Sequence, residues 1–88
     1  MPRYFFDVED GLRTVDDVGM ELAGPRAAAV QAMKTMLEIG RFEAVVKNER
    51  RLNVLVRDEQ GSPIYRTEML IGAVWFIDEG QGEIPQGI

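Results

Sequence analysis

One segment of this 88-residue chain is strongly predicted to be a helix, and its position between β-prone segments constrains the fold more than any other feature. Gly24 is a tolerated N-cap residue. Pro25 follows it at the first helical position, where the missing N–H of proline costs nothing. The segment PRAAAVQAMKTMLEIG is rich in strong helix formers, and Gly40 is a typical C-terminal stop. The pattern therefore predicts a helix from Pro25 to about Gly40.

The apolar side of this helix is wide. It covers an arc of about 200°, whereas a helix that faces a single core needs somewhat more than about 100°. The arc is formed by Ala28, Ala29, Ala32, Met33, Met36, Leu37 and Ile39, with Val30 at its border. A small domain with such a helix is a candidate for self-association.

Two β-prone segments come before the helix. The aromatic and β-branched segment RYFFDV predicts a strand over residues 3–8, with rings on both of its faces. The turn residues EDG at 9–11 and the segment LRTV then predict a hairpin with a short returning strand. A second turn at 16–19 leads into an extended segment at 20–22.

Two more β-prone segments follow the helix, after an ambiguous segment at 41–50. Phe42, Val45 and Val46 have helical spacing, which favours a short second helical piece after Gly40. The segment RLNVLVRD then alternates like a half-buried strand, and the turn DEQGSP joins it to the β-prone run IYRTEMLIGAVWFI. Gly72 inside that run predicts a bulge or bend, after which the chain either continues the strand or leaves it.

The predicted order is β-β-α-β-β, which is an α+β fold. We expect an antiparallel sheet of three to four strands with one main helix across a face, in a single domain over 1–78 followed by a frayed polar tail at 79–88. If Leu52, Val54 and Val56 face the helix, then Leu55 and one ring of the first strand face away from it. We expect that outer face to be too apolar to leave in water.

The amino-acid composition argues against several classes of function. The chain has no cysteine and no histidine, so it lacks thiol chemistry, the commonest general base and the commonest metal ligand. Its net charge of −5 disfavours nucleic acid as a partner. No segment approaches the roughly 18 apolar residues of a membrane span, and the start does not resemble a signal peptide. We expect a cytoplasmic protein with no cofactor.

The acidic residues crowd the first fifth of the chain, at Asp7, Glu9, Asp10, Asp16 and Asp17. Their spacing lacks the ligand periodicity of a calcium loop, so we expect turn-forming and solubilising roles and no metal. Two of them, Asp7 and Asp16, lie across the first predicted hairpin. Such a pair is the basis of an enzymatic hypothesis, in which one carboxyl with a raised pKa acts as an acid.

The basic residues crowd the middle of the chain and continue into the last strand: Lys47, Arg50, Arg51, Arg57 and Arg66. They predict a solvated surface or, less readily, a site for an acidic partner. Across the second hairpin Arg57 and Arg66 are expected to face each other, with Glu59 or Glu68 available to neutralise either one.

Several motifs resemble those of a known family. The opening MPRYFFDVEDG, the segment DDVGMEL, the Ala-rich helix and the segment VLVRDEQGSPIYRTEM resemble short bacterial proteins, frequent in rhizobia, that carry an uncharacterised domain of unknown function. Members open with M-P-R-Y-F-F followed by Asp or His, and Asp7 stands here where many carry histidine. The resemblance covers roughly residues 1–70; it implies a shared fold and supplies no mechanism. A looser likeness, of architecture alone, exists to small antitoxins with a partial double-stranded-RNA-binding fold.

The run Val74-Trp75-Phe76-Ile77 either packs against the domain's own sheet or contacts another chain. The wide helix arc and the two-sided aromatic strand favour the second. Our leading hypothesis is a non-enzymatic protein–protein interaction module that forms a homodimer through the sheet face or by exchange of the C-terminal segment. Its apolar anchors are then Tyr4, Phe6, Trp75 and Phe76.

Two other hypotheses remain. The first is an antitoxin-like or regulatory protein that binds a basic protein partner through the acidic loops, and the second is the carboxylate enzyme. The partner, the pathway and the strand order are left open by the sequence.

Overall fold

Residues 1–46 and 49–77 are described by the structure, a computed structural model, and they form one helix and one antiparallel sheet. The elements in chain order are β1 (Arg3–Glu9), β2 (Arg13–Thr14), β3 (Met20–Glu21), α1 (Pro25–Val46), β4 (Glu49–Arg57) and β5 (Pro63–Gly72). This order, β-β-β-α-β-β, confirms the predicted α+β class. The predicted tail at 79–88 and the residues Lys47 and Asn48 lie outside the described ranges.

The sheet has five strands where three or four were predicted, because the extended segment before the helix also pairs. The strand order is β2-β1-β4-β5, and β3 pairs with the beginning of β1, where Arg3 lies opposite Glu21. The second hairpin is regular from the Glu49–Gly72 pair to the Val56–Tyr65 pair, and an irregularity follows at Arg57. β5 is the last strand, and in the described part of the chain no strand pairs with its outer edge.

The helix begins at Pro25, as predicted, but it does not end at Gly40. α1 runs without a break to Val46, so the prediction of a separate helical piece in 41–50 is wrong, and β4 already begins at Glu49. Gly40 is buried where the helix crosses the sheet, and a Cβ at this position would overlap the methyl group of Met69 and lie 3.4 Å from Leu52. This glycine therefore serves close packing of helix on sheet rather than termination. Within the described ranges, no helix is both long and apolar enough to cross a membrane.

The core lies between α1 and the covered face of the sheet. Its buried apolar residues are Tyr4, Ala28, Ala32, Met36, Leu52, Val54 and Val56, with Phe6, Val8, Leu22, Ile39 and Met69 packed around them. The helix contributes small residues at a spacing of four, which lets it lie close to the strands. Three apolar residues of the wide arc, Val30, Met33 and Leu37, stay 55%, 41% and 57% exposed. We call these three the helix strip.

The face of the sheet away from the helix, called here the open face, is polar. Because Leu52, Val54 and Val56 point toward the helix, the residues between them point away. The open face holds Phe5, Asp7, Glu9, Arg13, Arg51, Asn53, Leu55, Arg57, Arg66 and Glu68. The expectation of an apolar outer face is therefore wrong: Phe5, Leu55 and Leu70 do face this way, but charged and amide side chains make up most of the face.

Candidate functional site

A buried carboxylate lies on the open face. Asp7 is in the middle of β1 and only 3% exposed, although its strand neighbours on both sides belong to the apolar packing. Its Oδ2 lies 2.8 Å from Nε of Arg57, and its Oδ1 accepts a second bond of 3.0 Å from Nη2 of the same guanidinium. This two-point geometry is the strong form of a carboxylate–guanidinium contact. Arg13 lies farther out, with Nη2 3.8 Å from Asp7 Oδ2.

The loop between β2 and β3 closes over this pair. The Asp16 N–H donates to Asp7 Oδ1 at 3.0 Å, and the Asp16 carbonyl accepts from Arg57 Nη2 at 2.9 Å. The Asp16 carboxylate in turn accepts the backbone N–H groups of Phe6, Val18 and Gly19, at 3.0 to 3.1 Å. Asp7, Asp16 and Arg57 therefore join β1, β4 and the loop, and we call these three residues the Asp7 cluster.

Gly19 completes the loop geometry. It has a φ of +76°, and a Cβ there would lie 2.9 Å from the backbone oxygen of Tyr4 and from side-chain carbons of Arg3 and Phe5. A residue with a side chain would be strained in this conformation and would collide with β1. The loop can thus reach β1 only with glycine here.

Both carboxylates of the cluster have a lowered pKa. For Asp7, the hydrogen bonds from Arg57 lower the pKa more than burial raises it, and the Asp16 N–H and the nearby charge of Arg13 lower it further. For Asp16, burial raises the pKa, but the N–H donors of Gly19, Val18 and Phe6 together outweigh that effect. The hydrogen bonds to Asp7 raise the pKa of Arg57 above its ordinary value. All three groups are therefore charged at neutral pH.

This charge state determines what the Asp7 cluster can do chemically. The structure does bring Asp7 and Asp16 together, as the carboxylate hypothesis required. General acid catalysis at neutral pH needs a carboxyl with a raised pKa, whereas both pKa values here move downward. The arrangement stabilises a loop on the sheet, and it does not supply a proton donor.

A shallow cavity of about 220 Å³ opens beside the cluster. Its lining combines acidic, basic, amide and apolar groups from Asp7, Val8, Glu9, Arg13, Asn53, Leu55 and Arg66. Within residues 1–46 and 49–77, no group of three or more acidic side chains is positioned to hold a metal ion. Asp7 and Asp16, both from the acidic first segment, are held by internal hydrogen bonds.

The basic residues on the described part of the open face have acceptors beside them. Arg66 donates to the Asn53 side-chain oxygen at 3.1 and 3.2 Å, and Glu68 lies 4.0 Å from Arg66 and 3.7 Å from Arg51. The prediction that Arg57 faces Arg66 is wrong, because Arg66 lies opposite Leu55 and Arg57 turns to Asp7. The Arg57 guanidinium also lies over the Phe5 ring, 5.2 Å from its centre.

The four residues predicted as apolar anchors separate into two pairs. Tyr4 is 5% exposed in the core and Phe6 packs against the core, so both rings contribute to the packing of the subunit itself. Trp75 and Phe76 lie after the end of β5, outside the sheet, and are 48% and 93% exposed. Of the two alternatives after Gly72, the chain takes the second and leaves the strand. Of these four residues, only Trp75 and Phe76 thus expose the apolar surface that an interface anchor needs.

The role of Asp7 was missed at the level of sequence, although a signal was present. An aspartate between Phe6 and Val8 in a strand that is otherwise aromatic and branched must either face water or find a cation. An arginine at the end of an alternating strand, on its outer face, is the matching signal at Arg57. What was lacking was the register that brings these two strands together.

Comparison with known proteins gives one match. A family model described as "Domain of unknown function (DUF6894)" matches residues 3–70 of the 88. This range includes β1 through most of β5 and the whole Asp7 cluster, and it ends before Trp75 and Phe76. No curated protein and no solved structure matches the chain.

Proposed function

The chain belongs to the DUF6894 family of domains of unknown function, and on the basis of its surface we propose that it acts through protein–protein contact, as a homodimer. The single observation that supports this proposal most is the exposed apolar run after β5. Val74, Trp75, Phe76 and Ile77 are 73%, 48%, 93% and 69% exposed. Trp and Phe are among the side chains that most often dominate interface energetics.

The two rings would contribute a large part of the energy that a dimer needs. A Trp and a Phe side chain each bury about 150–250 Å² when covered, so these two rings still expose on the order of 300 Å² per chain. At about 25 cal/mol per Å², covering them would contribute up to about 7 kcal/mol per chain before the costs of association. The largest apolar patch on a monomer is about 300–600 Å² and often has a function, so exposed surface of this size is a candidate contact.

The experiment is a solution mass measurement by light scattering across a concentration series. We expect the unmodified chain to be a dimer at tens of micromolar and the variant Trp75→Ala/Phe76→Ala to be a folded monomer. Truncating an anchor residue typically costs at least about 2 kcal/mol, so the double variant should raise Kd at least about 100-fold. The variant should stay folded, because Phe76 is almost fully exposed and Trp75 loses only the packing of its covered half.

The matched control is Leu12→Ala/Val18→Ala, which removes two side chains that are 79% and 71% exposed in the loops beside β2. This variant should remain a dimer. Since the chain has one tryptophan, its fluorescence also reports directly on the contact. Emission should shift to shorter wavelength, and iodide quenching should fall, as concentration rises through Kd. A wild-type monomer at several hundred micromolar would refute the proposal.

A further inference from the structure

The outer edge of β5 is long and unprotected. β5 has ten residues, Pro63–Gly72, and it ends the sheet in the part of the chain that the structure describes. Natural edge strands are usually short, or they carry proline or a bulge that prevents pairing with another chain. β2, at the opposite end, is two residues long. The only proline of β5 is its first residue, and the irregularity in its pairing with β4 lies at Ile64. From Tyr65 onward the edge therefore has neither proline nor a bulge, and its charged side chains are Arg66 and Glu68.

The helix strip borders the same edge. α1 packs on β4 and β5, and the Oγ1 of Thr67 lies 3.1 Å from the Sδ of Met33. Met33 therefore lies above the middle of β5 while 41% of it stays exposed, and Val30 and Leu37 continue the strip along the helix. An apolar strip and a row of unpaired backbone groups thus lie on one side of the molecule.

We propose that a second copy of this chain occupies that side, with the two β5 strands paired antiparallel about a two-fold axis at Thr67. This inference rests on the proposed homodimer and identifies its contact surface and register. In this register each Arg66 lies opposite the partner copy's Glu68, and Thr67 lies opposite its own counterpart. The next pair outward is Tyr65 with Met69, both on the helix side of the sheet, and beyond it Leu70 lies beside the irregularity at Ile64.

The charges select this register over its neighbours. A shift that moves the axis to position 66 places Arg66 opposite Arg66, and a shift to position 68 places Glu68 opposite Glu68. Like charges directly opposite each other destabilise a strand pair, whereas opposite charges stabilise it. An intermediate shift of one residue would turn one copy over, so that the two helices would lie on opposite faces of the joined sheet and the two helix strips would not meet.

The helices fit the same axis. Strands in a sheet lie about 4.8 Å apart, so a helix centred over the β4–β5 pair lies about 5 Å from the axis. The two helices would then lie about 10 Å apart, at the upper end of the usual packing distance of about 8–10 Å. Because Met33 lies above Thr67, both Met33 side chains meet at the axis. Val30 of each copy then faces Leu37 of the other.

The exposed run after β5 also has a place in this dimer. With Tyr65 opposite Met69, Gly72 of one copy lies near the partner copy's turn, residues 58–62. Trp75 and Phe76 leave the sheet beside that turn. The two surfaces, one on the edge strand and one beyond it, therefore form one contact with the same second copy.

Charge reversal tests the register. Arg66→Glu and Glu68→Arg each place like charges opposite each other twice in the symmetric dimer, and each should raise Kd at least about tenfold at low salt. The double variant Arg66→Glu/Glu68→Arg restores opposite charges and should restore Kd to within about threefold of wild type. Since both side chains are more than two-fifths exposed, all three variants should fold, which circular dichroism checks. The effect should shrink in 1 M salt.

Arg51→Glu is the matched control. It places a like charge beside the same Glu68 within the chain, but Arg51 lies on β4 and away from the edge, so Kd should stay within about threefold of wild type. A second test uses the absence of cysteine in the chain. A mixture of Arg66→Cys and Glu68→Cys chains should form a disulfide-linked heterodimer under oxidation, and neither chain alone should form one efficiently.

The outcomes separate this inference from the proposed function. A wild-type dimer in which both single reversals keep the wild-type Kd, or in which the double variant is no better than the singles, overturns the β5 edge alone. In that case the Trp75→Ala/Phe76→Ala result still decides the proposed function. A wild-type chain that stays monomeric overturns both, and the edge is then open to a strand of a different protein.

Discussion

Replacing Asp7 with asparagine removes one negative charge from the interior of the open face and keeps the size of the side chain. The Asn oxygen can still accept the Asp16 N–H, as the Asp7 Oδ1 does now at 3.0 Å. It can no longer form a charged two-point contact with Arg57, whose bonds to Asp7 are 2.8 and 3.0 Å. The guanidinium would then remain partly buried beside Phe5 without its counter-charge.

The cost follows from this geometry. Removing one partner of a buried ion pair costs about 3–5 kcal/mol, because the other charge is left without compensation. The Arg57 side chain keeps 21% exposure, which allows water to compensate in part, so the free energy of unfolding should fall by about 3 kcal/mol. A domain of this size has a total of about 5–15 kcal/mol, and each kcal/mol shifts Tm by about 4–8 °C. Tm should therefore fall by more than about 10 °C.

Urea unfolding as a function of pH distinguishes lost charge from lost packing. Because the pKa of Asp7 is lowered in the folded protein, its stabilising contribution is fully present above its unfolded pKa of about 3.9 and is lost as pH falls through the folded value. The difference between wild type and Asp7→Asn should be constant from pH 7 to about pH 5 and should shrink below about pH 4. Glu9→Gln, an exposed position on the same strand, should change stability by less than about 0.5 kcal/mol. A loss below about 1 kcal/mol at pH 7, or an undiminished loss near pH 3, would refute the reasoning.

Two further substitutions test the loop and the core by urea unfolding. Gly19→Ala should lower the free energy of unfolding by about 3 kcal/mol or more, since its Cβ would lie 2.9 Å from the backbone oxygen of Tyr4 in a left-handed conformation. The control Gly11→Ala, with φ of +104° but open space around it, should lower it by only about 1–2 kcal/mol. Equal losses would contradict the proposed loop packing. Val54→Ala leaves a cavity at a fully buried site and should lower the free energy of unfolding by about 2–3 kcal/mol. The control Val15→Ala, at a position that is 56% exposed, should change it by less than about 0.5 kcal/mol. A Val54→Ala variant as stable as its control would show that the helix does not pack on β4.

The fold class was accessible from the sequence because its strongest signals are local. Proline at the first helical position specifies where α1 begins, and the alternation of Leu52, Val54 and Val56 specifies the covered face of β4. Gly40 shows the limit of such signals. A glycine can end a helix, or it can let the helix lie close to a sheet. At Gly40 only the position of Met69, on β5, shows that the second role applies.

The Asp7 cluster was not accessible for a related reason. Which arginine meets Asp7 depends on the register of β1 against β4, where Asp7 lies opposite Leu55 and Phe5 lies opposite Arg57. Local patterns specify which side of a strand faces the core, but they do not specify which of several strands lies next to it. The sequence therefore indicated charged residues on both hairpins and could not pair them.

The pairing of β1 with β4 also has a consequence for how the chain folds. Arg57 and Asp7 are 50 residues apart in the sequence, and β2, β3 and α1 lie between the strands that they join. Contacts within α1 and within the β4–β5 hairpin close short loops, whereas docking β1 closes a long one at a larger entropic cost. We expect the helix and the C-terminal hairpin to form first and the N-terminal segment to dock onto them last. Until β1 docks, β4 presents a free edge on the side opposite β5. During synthesis β1 is made first, but it has no partner strand until β4 has been made. The sheet is therefore completed only after the C-terminal strands are available.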